Sequence, residues 1–150
     1  MSDPKPRLYL VSLAGSAALA GAAFLPWLSI GAVGLPGIPD PAGFFVLAVG
    51  LLGALASGAG LVRRADTHPW LVLAGLAGVT TLLVVWITGP GTIAERAQAR
   101  AEAVALVDNV PLQPVPPVRF GVGLILGLGG ALALTAAGIA GVARGRREDS

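Results

Sequence analysis

Trp70-Leu71-Val72-Leu73-Ala74-Gly75-Leu76-Ala77-Gly78-Val79-Thr80-Thr81-Leu82-Leu83-Val84-Val85-Trp86-Ile87-Thr88 runs without one charged side chain or proline. A helix rising about 1.5 Å per residue needs about 20 apolar residues to cross a hydrocarbon core about 30 Å thick. This stretch meets that requirement. Three others share its character: Leu8 to about Pro26, Gly43 to Val62, and Phe120 to Ala143. The runs are too long for membrane strands and lack their in–out alternation. The pattern predicts an all-α protein, an integral membrane four-helix bundle forming a single domain over residues 1–150.

Composition agrees with that reading. Of 150 residues, 55% are hydrophobic and only 12% charged, and the mean hydropathy is +0.80. A soluble domain carries about twice that share of charge to cover its surface. The absence of cysteine removes disulfide frameworks, thiol chemistry and iron–sulfur ligation together. A lone histidine, His68, removes bis-histidine haem ligation, and no metal site or cofactor is expected.

The few charges orient the chain. Lys5 and Arg7 precede the first span, Arg63 and Arg64 follow the second, and Arg144, Arg146 and Arg147 follow the fourth. Only Arg96, Arg100 and Arg119 fall in the other two connections. Basic residues concentrate on the cytoplasmic side, so both termini and the Arg63–Pro69 turn are expected inside. That makes the chain a multi-pass protein of a bacterial inner membrane, with residues 27–42 and 89–118 facing outward. A competing reading takes Lys5 and Arg7 with Ala18-Leu19-Ala20 as a cleaved leader. Apolar sequence continues through Phe24 and Leu25, which favours a retained span, and cleavage would leave the orientation unchanged.

Aromatic residues prefer the membrane–water interface. Tyr9, Trp27, Trp70 and Trp86 all lie near span ends and are the expected interface anchors. Between helices, lipid gives no hydrophobic drive, so association needs small residues at four-residue spacing. Gly50, Ala54 and Gly58 form one such ridge, with Gly53 and Ser57 beside it. Gly123, Gly127, Ala131 and Thr135 form another; Ser12, Ser16 and Ala20, and Ala74 and Gly78, supply the rest. These ridges are expected to pack the four helices together. The sharper alternative is that the last ridge docks a second copy or another membrane protein.

The outward segments carry the remaining signals. Pro36-Gly37 marks a turn, and Leu28, Ile30 and Val33 alternate as an extended hairpin would, so the first segment reads as an apolar lid on the bundle mouth. In the second, Thr92 and Glu95 have capping-box spacing, and Ala-rich sequence then predicts a separate amphipathic helix over about 93–107. Ile93, Ala97, Ala101, Val104 and Ala105 fall on one face, and Glu95, Arg96, Arg100 and Glu102 lie mostly on the other. Pro111-Leu112-Gln113-Pro114-Val115-Pro116-Pro117 reads as polyproline-like chain. One reading is a connector lying on the membrane. The other is a docking surface for an extracytoplasmic partner, with Glu95, Arg96, Arg100, Glu102, Pro114 and Pro116 as its candidates.

Gly121-Val122-Gly123 lacks the GxGxxG spacing, because residue 126 is leucine, and no phosphate-loop motif occurs. Transport coupled to protons or ions needs ionisable groups within the membrane, and none lies between the span ends. Multidrug exporters of this size depend on an embedded carboxylate, and four-span thiol oxidases on cysteine pairs. A membrane serine protease would need an embedded base. Of the hydroxyls of Ser12, Ser16, Ser57, Thr80, Thr81, Thr88 and Thr135, most are expected to bond a backbone carbonyl one turn earlier; Thr80-Thr81 are expected to pack, with a small polar cavity or a lipid carbonyl as the alternative.

Pro26-Trp27-Leu28-Ser29, the Gly-rich outer loop, Arg63-Arg64 between spans two and three, and Arg144-Gly145-Arg146-Arg147 after a glycine-laden last span together resemble small four-span membrane proteins of actinobacterial type, such as the tryptophan-associated transmembrane proteins. The resemblance implies a topology and transfers no activity. The expectation is a small non-catalytic accessory or scaffold subunit of a larger membrane assembly. It would contact the lipid bilayer and another integral membrane protein or a homo-oligomer, with no nucleic acid involved. An oligomeric pore or facilitated-transport component is the alternative.

Overall fold

The computed structural model describes residues 4–63 and 66–148; Arg64, counted above among the orienting basic residues, lies outside them. The order is α1 (Pro4–Ala22), β1 (Pro26–Ile30), β2 (Val33–Pro36), α2 (Pro41–Arg63), α3 (His68–Asp108), β3 (Val118–Phe120) and α4 (Val122–Glu148). Three helices, α2, α3 and α4, are long and apolar enough to cross a membrane, and the apolar part of α1, Arg7–Ala22, is shorter. The chain is mostly helical, as expected, with a small sheet added to it.

The first span was expected to reach about Pro26, and the helix stops at Ala22. Its last turn tightens: Ala23, Phe24 and Leu25 donate to the carbonyls of Ala20, Gly21 and Ala22 at 3.1–3.3 Å. Trp27 Nε1 also donates to Ala22 O at 2.7 Å, and Ile38 N donates to Ala23 O at 3.0 Å. Helix ends leave four carbonyls without intrahelical partners. Here each from Ala20 to Ala23 finds a donor in the chain that follows, so stopping early leaves none of them stranded.

The hairpin joins β1 to β2 through Gly31-Ala32, with Ile30 opposite Val33. Gly31 has φ +57°, the left-handed value that a primed two-residue turn requires of its first residue. The third strand was not foreseen. Val118–Phe120 pairs antiparallel with β1, placing Leu28 opposite Phe120 and Ile30 opposite Val118, so β1 is central. Asp40 then starts α2. Its carboxylate accepts from Ala42 N at 2.9 Å, and Pro41 supplies the first helical residue, where a missing N–H costs nothing.

The third helix departs most from expectation. The separate helix over 93–107 is the second half of a single 41-residue α3, with Pro90 inside it. Thr92 therefore caps nothing: its hydroxyl donates to Gly89 O at 3.0 Å, and the capping box with Glu95 does not form. Pro90 forfeits one backbone bond. Good helix formers lie on both sides, and breaking the helix would cost two further sets of terminal groups. At the far end Asn109 adopts φ 50°, ψ 42°, and Val110 N reaches back to Ala105 O at 3.2 Å, a left-handed helix stop.

The four helices close a ring: α4 lies against α1 and α3, and α1 and α3 each also meet α2. The interior holds Leu19, Val46, Leu71, Leu82, Leu124, Ala131 and Leu134 together with Ser12, Ser16, Ser57 and Thr135. The exterior holds larger apolar groups on every helix, among them Leu10, Phe44, Leu52, Leu55, Leu76, Ile87, Ile125, Leu132 and Ile139. Leucines share the inside with small and hydroxylated residues, and bulky hydrocarbon covers the outside as well: the exterior is apolar where that of a water-soluble domain is polar, which is why no helix has a marked amphipathic stripe.

Candidate functional site

Backbone approach sets the interior. A Cβ on Gly15 would lie 2.8 Å from Gly130 O, and one on Gly130 would lie 2.6 Å from Gly15 O, so α1 and α4 cross glycine to glycine. On α2, a Cβ at Gly50 would meet Ala20 N at 2.7 Å. Ala54 is half-buried, and Gly58 faces open space. The packed face of α2 instead runs through Gly43, Val46, Gly50, Gly53, Ser57 and Gly60, one position aside from the expected ridge. The ridge on α4 lies wholly inside the bundle. Gly123 abuts Leu25 O, and Gly127 sits between Leu82 and Ala22. Ala131 and Thr135 are buried as well. That ridge is therefore occupied by its own chain.

Hydroxyls join two of the helices. Ser12 Oγ and Ser57 Oγ lie 2.8 Å apart, while Ser12 also reaches Tyr9 O at 2.9 Å and Ser57 reaches Gly53 O at 2.7 Å. Two hydroxyl protons serve three contacts, so one backbone bond is always given up when the pair across α1 and α2 is made. One turn along, every helix contributes to a single layer. The rings of Tyr9 and His68 stack with centroids 4.5 Å apart and planes 10° apart. Gly60 of α2 lies against the Tyr9 ring and Gly141 of α4 against His68. His68 was expected in the cytoplasmic Arg63–Pro69 turn. It is the first residue of α3, 7% exposed, with its backbone N–H donating to Asp66 Oδ1 at 3.3 Å. Sequence reasoning missed this layer; the glycines at 60 and 141 were its only trace.

The expected interface anchors divide. Trp70 and Trp86 are exposed, whereas Tyr9 and Trp27 are buried at 6% and 4%. Trp27 plugs the cap, with Gly37 against its indole and its N–H on the end of α1. Trp86 stacks on Phe120 at 4.2 Å, with planes 14° apart, tying α3 to β3. The sheet thus closes the end of the bundle where α1 stops and α2 and α4 begin, as the lid reading anticipated.

No protein family, characterised protein or solved structure matches the chain.

Beyond the cap stands the rest of α3. From Gly89 to Asp108 a helix extends about 30 Å, so it projects from the bundle as a prong and cannot lie across its end, as a connector helix separated at Pro90 would have done. Glu95, Arg96, Arg100 and Glu102 are all exposed along it, and Gln98 Nε2 donates to Glu102 at 3.1 Å. Ile93, Ala97, Ala101 and Ala105 make a half-buried line. Val104, predicted on that face, is 47% exposed, and near the tip Leu106 and Val107 are more than 80% exposed. Residues 109–117 must return over the prong's length to reach β3. Nine residues of extended chain cover about 30 Å, so the Pro-rich segment runs almost straight. Pro114 and Pro116 are exposed within it, Pro116 passing beside Gly31 at the hairpin turn. Among the described residues no three histidine, aspartate or glutamate side chains are grouped to hold a metal ion. What the arrangement offers is surface: a smooth apolar belt, and a stiff prong with an apolar tip and charged flanks.

Proposed function

We propose that the chain is a small, non-catalytic accessory or scaffold subunit of a bacterial inner membrane, with its termini in the cytoplasm and its prong outside, and that it acts by holding a partner at the prong. The observation that carries this reading is the continuity of α3. One helix runs from the apolar bundle straight into a charged projection with Leu106 and Val107 exposed near its end. Several features support a bilayer around the bundle. Three helices have spanning length, and the bulky apolar residues face outward on all four, more exposed hydrocarbon than a protein in water tolerates. The cap lets the shorter α1 end near the interface with its carbonyls satisfied, since unpaired backbone is costly in lipid. The likeness to small four-span actinobacterial proteins is compatible with this topology and adds no activity to it.

The test is co-purification from native membranes in mild detergent, using the wild-type chain beside a Leu106→Glu, Val107→Glu double variant. The reading expects a stoichiometric larger protein with the wild type and its loss with the variant, at unchanged expression. A partner retained equally by both would remove the prong from the proposal. A wild-type chain that purifies alone would defeat the subunit reading. The pore alternative would be favoured by ionic flux in vesicles reconstituted with the chain alone.

A further inference from the structure

The layer of Tyr9, Gly60, His68 and Gly141 sets the relative heights of the four helices, and with them the heights of the charges beyond it. Arg7 lies two residues outside the layer on α1, Arg63 three residues outside it on α2, and Arg144 three residues outside it on α4. At about 1.5 Å per residue, these arginines leave the bundle within about 2 Å of one another along its axis. All three are exposed. The fourth corner carries Asp66, whose carboxylate is turned back to accept from His68 N–H. Arg146 and Arg147 continue α4 to about 8–9 Å beyond the layer.

The other end of the bundle supplies an independent measure of depth. Phe24 after α1, Phe44 and Phe45 at the start of α2, Trp86 where α3 meets the cap, and Phe120 before α4 are 37–62% exposed. Such a girdle of rings settles at a membrane–water interface. From Phe44 to Arg63, α2 rises about 28 Å, and the chain from Arg7 to Phe24 rises about 25 Å. A hydrocarbon core is about 30 Å thick. With the rings at one interface, Arg7 and Arg63 fall at the other, level with the lipid phosphates, and Arg144 joins them there. Arg146 and Arg147 reach past that level into water.

Charge is distributed to match. Residues 1–7, 63–68 and 144–150 carry seven basic and four acidic side chains, whereas 27–42 and 89–119 carry three and four. Basic residues need only lie in the right connections to orient a chain; orientation does not require that three helices present them at one height. We infer that this rim binds anionic phospholipid, with Arg63 and Arg144 pairing with headgroup phosphates. This rests on the bilayer reading above. A guanidinium offers phosphate oxygens two parallel donors, and its stem lies along hydrocarbon while its head reaches the phosphates. A zwitterionic lipid presents the same phosphate, but its ammonium offsets the charge, so the rim favours phosphatidylglycerol over phosphatidylcholine.

The test uses the full chain. Reconstitution into phosphatidylcholine vesicles, followed by carbonate washing and flotation, first establishes insertion; failure there would strike the bilayer reading itself. Inserting protein is then titrated in mild detergent with phosphatidylglycerol or phosphatidylcholine, and bound lipid is counted by native mass spectrometry. Phosphatidylglycerol should bind at least about tenfold more tightly, reflecting about fivefold per arginine near a charged surface. Arg63→Gln combined with Arg144→Gln should lower its affinity more than about tenfold and leave phosphatidylcholine unchanged. Arg146→Gln combined with Arg147→Gln removes the same charge and should lower it less than about threefold. All four positions are exposed, and far-ultraviolet dichroism verifies that both double variants remain helical. Equal affinity for the two lipids would overturn the proposal. So would equal losses in the two double variants, which would mean diffuse attraction, or displacement of the lipid by millimolar inorganic phosphate, which would make a free anion the ligand.

Discussion

At Gly50 and Gly58 the same residue type, two turns apart on one helix, meets opposite surroundings. Gly50 touches the α1 backbone, and Gly58 touches nothing within 4 Å. Gly50→Ala should therefore force α1 and α2 apart and destabilise the bundle by about 1–3 kcal/mol, the usual range for overpacking. Gly58→Ala should be neutral or stabilising by up to about 1 kcal/mol, through helix propensity. Thermal unfolding of both variants in one detergent checks the pair, and a larger loss from Gly58→Ala would contradict the assigned α2 face. The hydroxyl pair makes a second, smaller prediction. Ser57→Ala removes one interhelical bond but also frees Ser12 for Tyr9 O, so the net cost should be about 0.6 kcal/mol and no more than about 1.7. Neither contrast was legible in the sequence. Four-residue spacing identifies candidate ridges, but the choice between Gly58 and Gly60 depends on where Tyr9 lies, and Tyr9 is far away along the chain.

The elements were legible to the degree that their signals were local. The charge-free runs placed α2 and α4 closely, and Leu28 and Ile30 pointed to an extended piece, but the hairpin turns at Gly31-Ala32 and the expected turn at Pro36-Gly37 falls at the end of β2. Asp40-Pro41 is a local helix-start signal, with the Asp40 carboxylate accepting from Ala42 N. Val118–Phe120 is too short to show any period, and only its pairing with β1 makes it a strand. Gly89-Pro90-Gly91 misled for the opposite reason: each residue disfavours helix locally, and the helix on both sides prevails. The left-handed stop at Asn109 defines the end of the prong. Asn109→Val should strain that turn by about 1–2 kcal/mol and loosen residues 105–112, whereas Asn109→Gly should leave it intact. Amide exchange across the tip distinguishes them, and equal protection in both variants would mean that the turn tolerates a β-branched residue.

For the molecule as a whole, the interior matters more than composition implies. Gly127 lies between Leu82 of α3 and Ala22 of α1, so Gly127→Leu should lower thermal stability of the isolated chain by several kcal/mol, as overpacking at a crossing does. If Gly127→Leu left the chain as stable as wild type and only removed a bound protein, α4 would have to face outward. The four apolar runs disclosed a helical, lipid-compatible protein. They could not disclose which face of each helix turns inward, because inside and outside are both apolar. They also could not show that Tyr9, Gly60, His68 and Gly141, one from each helix, form a single layer.

The uninterrupted α3 has a mechanical consequence. Half of it is held in the bundle and half reaches beyond it with only residues 109–117 returning alongside, so a tilt of α3 would turn about the point where Trp86 meets Phe120. A tilt of about 10° in the clamped half would carry the tip sideways by about 5 Å, given a free arm of about 30 Å. Because His68 begins the same helix and stacks on Tyr9, a contact formed at Leu106 and Val107 would be joined by unbroken backbone to the layer at the opposite end of α3.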